Sequence, residues 1–164
     1  MTGLAWAQLC SRAWSLLDSP PPFVVQPSIP VLYFGDRPAY ERSPLRVVTV
    51  GLNPSLKEFP LKRPFSRFPG GAGLVRDDAR GLLRVLDDYF RVDPYRSWFQ
   101  SYEPVLNGLG ASYYEGPAST ALHTDLLSPI ATDPTWSSLD TAERAALESS
   151  GIGLWHDLVG LLRP

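Results

Sequence analysis

The chain has 164 residues, enough for one domain with a sizeable core, and its 44% apolar and 20% charged residues exclude a disordered tail or a fibrous repeat. A single cysteine, Cys10, and two histidines exclude a disulfide scaffold and a zinc cluster, so neither metal nor cofactor is expected. The net charge of −2 argues against a generic nucleic-acid binder, but the charge is uneven: residues 1–96 hold 13 Lys+Arg against 9 Asp+Glu, and residues 97–164 hold 2 against 8.

Leu4, Ala7, Leu9, Ala13, Trp14 and Leu17 recur at helical spacing, so an amphipathic helix is expected over 3–17, ended by Ser19-Pro20-Pro21-Pro22. Seventeen prolines are roughly twice the usual share and predict extended segments and ordered loops; residues 20–30 form the first, completing an N-terminal helix and Pro-rich segment over 1–30. Pro30 to Asp36 reads as a short edge strand running into a turn. Leu45-Arg46-Val47-Val48-Thr49-Val50 is the best strand in the chain, β-branched and apolar enough to be buried on both faces of a parallel sheet.

The next stretch, Gly51 to Gly73, is a long loop rich in Pro, Phe and basic residues, a length that marks functional or disordered segments. A helix is expected over 77–90, opened by Asp77-Asp78, and another through Trp98, Phe99, Tyr102, Val105 and Leu106, stopped at Gly108-Leu109-Gly110. Ala121 to Leu127 reads as a second strand, and Ser128 to Trp136 as a Pro-broken loop packed through Trp136. Asp140 and Glu143 form a capping-box start to a helix, and Ile152 to Leu162 make the last one. The alternation predicts a single three-layer α/β/α domain over 1–164 with a short, mostly parallel central sheet, incomplete at its C-terminal end. No apolar run approaches ~18 residues and no signal-peptide pattern opens the chain, so a cytoplasmic protein with no membrane partner is expected.

Gly51-Leu52-Asn53-Pro54-Ser55 puts a glycine, an amide and a proline at the exit of that best strand, where open α/β sheets bind ligands. Gly51 admits a ligand close to the backbone, Pro54 fixes the turn, and Asn53 offers both a donor and an acceptor. The alternative is a strand-to-helix turn in which Asn53 or Ser55 only caps. His123 is an acid or base candidate by type, or a satisfied interior histidine; Asp125 either faces the pocket or caps its strand. His156 falls on a helix flank.

The pentapeptide, followed by Ser66-Arg67-Phe68 in a Phe-rich loop, resembles the first motif of the uracil-DNA glycosylase superfamily, most of all the branch of mismatch-specific uracil and thymine glycosylases. That branch carries Gly-Ile-Asn-Pro-Gly with a later Asn-Arg-Phe; Ser55 replaces its second glycine. The likeness runs through residues 45–136 in the order of elements. It implies a hydrolase acting on a base flipped out of DNA, with Asn53 positioning the attacking water. Gly51, Leu52, Pro54 and Ser55 would line the base site, Phe59 or Phe65 would stack on the base, and Arg67-Phe68 would support the loop. Phe59, Phe65 and Phe68 could equally close a small core under that loop.

The family reads its base from the second strand, usually with an asparagine. This chain has His123-Thr124-Asp125 there, and an ionised Asp125 facing the pocket would favour an exocyclic amine, as on cytosine, over the O4 of uracil. The family's late His-Pro or Asn-Pro motif with a following serine has no counterpart after residue 134. Two expectations follow: a DNA glycosylase-like enzyme, or a non-catalytic module that keeps the pocket and grips nucleic acid or protein.

Overall fold

A computed structural model describes residues 2–76 and 78–164. Helix α1 (Thr2–Ser15) is followed by the Pro-rich segment, helix α2 (Arg37–Arg42) and strand β1 (Val48–Gly51). Four short helices come next: α3 (Ala79–Asp87), α4 (Tyr89–Val92), α5 (Arg96–Phe99) and α6 (Glu103–Gly108). Strands β2 (Ala111–Ser112), β3 (Ser119–Thr120) and β4 (Leu122–Asp125) precede the long helix α7 (Thr141–Leu162).

The sheet is parallel and open, as the sequence predicts, but shorter. β1 pairs with β4 in the register Val48–Leu122 to Gly51–Asp125, and β2 pairs with β3 in a second parallel two-stranded sheet. Strand alternation sends Thr124 and His123 to opposite faces. On one face the Trp155 indole of α7 donates to Thr124 Oγ1 at 3.0 Å. On the other, His123 packs against Phe34, Phe99 and Tyr102. Helix α1 lies against both α3 and α7. The result is a small three-layer α/β fold.

Three expectations are corrected. β1 is not buried on both faces: β4 is its one strand partner among the described residues, and Val50 is 44% exposed. Residues 31–35 are buried throughout but form no regular strand; Phe34 joins β4 by a single antiparallel bridge, exchanging backbone hydrogen bonds with His123 at 2.8 and 3.1 Å. The two helices expected after Asp140 are one helix of 22 residues. Its capping box is present, with Asp140 Oδ1 accepting from the Glu143 N–H and Glu143 Oε2 from the Asp140 N–H, worth about 1 kcal/mol. Gly151 does not break that helix. A Cβ there would collide with the Leu127 carbonyl, so the glycine lets α7 lie directly on the chain leaving β4.

The expected helix over 77–90 starts at Ala79, with Asp78 Oδ1 accepting from the Gly81 N–H at 2.8 Å, and is interrupted at Asp88; Asp77 lies outside the described residues. The expected helix through 98–106 is likewise split, with Pro104 at the start of α6. These breaks let many aromatic side chains converge on one core, where Phe34, Tyr89, Phe90, Phe99 and Tyr113 meet at centroid distances of 4.6 to 5.6 Å.

Candidate functional site

A cleft of about 550 Å³ opens at the carboxyl ends of β1 and β4, where an open parallel sheet presents loops rather than strands. Gly51, Leu52, Asn53, Pro54 and Ser55 line it from β1; His123 and Asp125 line it from β4. The register explains the meeting: Gly51 pairs with Asp125, and His123 and Asp125, two residues apart on a strand, share a face. Gly51 is required by close approach. A Cβ there would lie 2.5 Å from Asp125 Oδ1 and 2.9 Å from His123 Nε2.

Asn53 does not cap its own turn. Its amide nitrogen donates to the Ile130 carbonyl at 3.2 Å and to Thr132 Oγ1 at 2.9 Å, across to the loop that follows β4. Backbone bonds from Thr132 N to Pro54 O and from Leu56 N to Thr132 O close the same seam. With both amide protons engaged, Asn53 keeps Oδ1 as an acceptor with no hydrogen-bond partner among the described residues. Ser55 does cap, its Oγ accepting from the Lys57 N–H at the start of a 3₁₀ turn over Leu56–Glu58.

His123 is 2% exposed and sits in a hydrogen-bonded chain. Its Nδ1 lies 2.6 Å from Thr49 Oγ1, which also contacts the Tyr113 hydroxyl. If Tyr113 donates to Thr49 and Thr49 donates to Nδ1, the imidazole proton sits on Nε2, which faces Asp125 Oδ1 at 3.5 Å. That assignment places the N–H, and not a lone pair, against the carboxylate. Sequence reading missed this acidic neighbour, although the i, i+2 spacing on a strand was its signal.

Glu58 was missed altogether. It is 5% exposed and lines the cleft; its Oε2 accepts from the Tyr89 hydroxyl at 2.6 Å, and Tyr89 in turn accepts from the Tyr95 N–H at 3.0 Å. Burial lifts the Glu58 carboxyl to about 7; the Tyr89 hydrogen bond and the Arg67 guanidinium oppose this, while Asp125 and Asp93 add to it. Burial also raises Tyr102, with the Asp125 charge adding to the effect.

The aromatic assignment changes. Phe59 and Phe68 are fully buried and stacked at 5.2 Å, Phe65 meets Phe59 edge-on, and none of the three lines the cleft. They form the core under the loop, because that loop folds back against Tyr89. Arg67 ties it down through the carbonyls of Lys57 and Asp93 at 2.9 and 2.7 Å. The cleft's aromatic walls are instead Phe34, Tyr95, Trp98, Phe99, Tyr102 and Trp136. Trp98, expected on one helix with Phe99 and Tyr102, is 48% exposed with Tyr102 edge-on beside it, leaving an indole at the cleft. Trp136 serves the cleft and a second core with Val24, Ile130, Leu139 and Leu147. His156 is exposed on α7 and takes no part.

Among the described residues no group of three or more Cys, His, Asp or Glu side chains could hold a metal ion, and no helix is long and apolar enough to cross a membrane. No family model matches the chain, and searches of curated proteins and of solved structures return no significant match.

Proposed function

We propose that the chain is a DNA glycosylase-like hydrolase that takes a flipped base into the cleft between β1 and β4. The observation that carries this reading is Asn53, a neutral amide at a strand exit whose two protons are fixed by protein, which leaves Oδ1 to orient a water. The C1′–N bond breaks with its electron pair leaving on the base. Water held at Asn53 Oδ1 adds to the oxocarbenium-like sugar, and the proton it sheds completes the departing base. Trp98 and Tyr102 offer faces on which any base can stack, and Lys57 at the rim suits a phosphate.

The test is formation of abasic sites in duplexes carrying uracil, hydroxymethyluracil, mismatched thymine or modified cytosine. Base release from one of these duplexes, lost in Asn53→Ala, is the expected result. The second reading, a non-catalytic module, draws on the same residue: Asn53 also joins two loops, which is sufficient structural reason for its presence. DNA retention at low salt without base release would favour that module, and failure to bind any DNA there would remove both readings.

A further inference from the structure

Beside donors such as Lys57 and the Trp98 indole, the cleft is lined by three side chains with accepting oxygens, and these come from three different places in the chain. Asp125 is 7% exposed, and among the described residues no hydrogen bond reaches its side chain; His123 Nε2 stands off at 3.5 Å, longer than a good hydrogen bond, so the carboxylate keeps most of its accepting capacity. Glu58 has Oε2 occupied by Tyr89 while Oε1 has no hydrogen-bond partner among the described residues. Asn53 presents only Oδ1. Nor does an ion pair explain Glu58: Arg67, the cation that bears on it, spends its hydrogen bonds on the Lys57 and Asp93 carbonyls.

We propose that the cleft selects bases that bear an exocyclic amine, as cytosine does, over uracil and thymine, with Asp125 and Glu58 as the two side chains that accept from that amine. This rests on the hydrolase reading above for its setting in DNA, but the recognition is a property of the cleft itself. An amine directs two N–H groups toward waiting carboxylate oxygens. Uracil would set the lone pair of O4 against the same oxygens and has only its N3–H to give, one donor against the amine's two, so one buried acceptor would stay unmatched, and sites built to accept an N–H reject analogues that leave it unmatched by large factors.

The test separates recognition from hydrolysis. Cytidine and uridine are titrated into the full chain at about pH 8.5, above the value to which burial lifts Glu58, and binding is followed by NMR shifts of the His123 ring and the Trp98 indole. Cytidine is expected to bind at least about 100-fold more tightly than uridine. Asp125→Asn, which offers a donor in place of an acceptor, is expected to bring the ratio below about tenfold, and Glu58→Gln to do so in part. The wild-type ratio alone decides the matter if a variant does not fold. Equal binding, preference for uridine, no binding of either, or a ratio unchanged in both variants overturns the proposal. Cytidine preference without base release from any duplex upholds this recognition while the hydrolase reading fails; release of uracil in preference to modified cytosine does the reverse.

Discussion

Replacing Glu58 with glutamine isolates what the buried carboxyl costs the fold. The carboxyl titrates ordinarily at 4.5 and at about 7 in the folded chain, chiefly because burial disfavours its charged form. The folded state therefore holds this proton more tightly than the unfolded state does. Stability from this group is fully present below 4.5, is lost as pH rises through about 7, and stays lost above. The gap corresponds to roughly 3 kcal/mol, with little reduction for solvent screening because the side chain is 5% exposed. Glutamine keeps a carbonyl for the Tyr89 hydroxyl and never ionises. Urea denaturation of both proteins across a pH series then gives a difference curve in which all other titrating groups cancel. The variant should gain roughly 3 kcal/mol on the wild type between about pH 4.5 and pH 8. A flat curve, or a wild type that gains on the variant, would refute the reasoning and show that Glu58 ionises in the fold without penalty.

Three further perturbations test the surrounding geometry. Gly51→Ala drives a methyl against Asp125 Oδ1 and His123 Nε2, so about 1–3 kcal/mol of stability should be lost together with cytidine binding, as read by denaturation and titration. Tyr89→Phe leaves Glu58 Oε2 without its donor and the Tyr95 N–H without its acceptor; it should cost roughly 1–3 kcal/mol and move the Glu58 titration, followed by carboxyl NMR, to higher pH. Gly151→Ala should lift α7 off the Leu127 carbonyl at a cost of about 1–3 kcal/mol or more, whereas Gly160→Ala, which meets nothing nearby, should be neutral or gain up to ~1 kcal/mol of helix stability.

Local pattern carried the features that depend on local physics. The β-branched run ending in Gly51-Leu52-Asn53 predicts a strand with a ligand-facing exit, and that exit lines the cleft. The Asp140 and Glu143 capping box is visible in four consecutive residues and forms as predicted. What escaped depends on which surfaces meet. Phe59, Phe65 and Phe68 are indistinguishable by type from aromatics that face a ligand, and only the folding of their loop onto Tyr89 commits them to the core. Trp98 is the converse case: the apolar spacing puts it on one helix with Phe99 and Leu106, but the chain breaks between α5 and α6 and its indole stands half in solvent. Gly151 and Gly153 suggest a helix boundary by propensity, yet Gly151 marks a close backbone contact along one unbroken helix. Glu58 stands amid Lys57, Lys62 and Arg63 in a basic loop, and no local signal shows that its side chain turns inward to Tyr89.

Single-turnover base release by the wild type and by Asn53→Ala, on the duplex the cleft binds best, tests the proposed chemistry most directly. Circular dichroism and the cytidine titration serve to confirm that the variant keeps its fold and its cleft. The water-positioning role predicts measurable release by the wild type and a loss of at least about 100-fold in the variant with base binding retained. Release at an unchanged rate in a folded Asn53→Ala protein, or none from the wild type on any base, would contradict it.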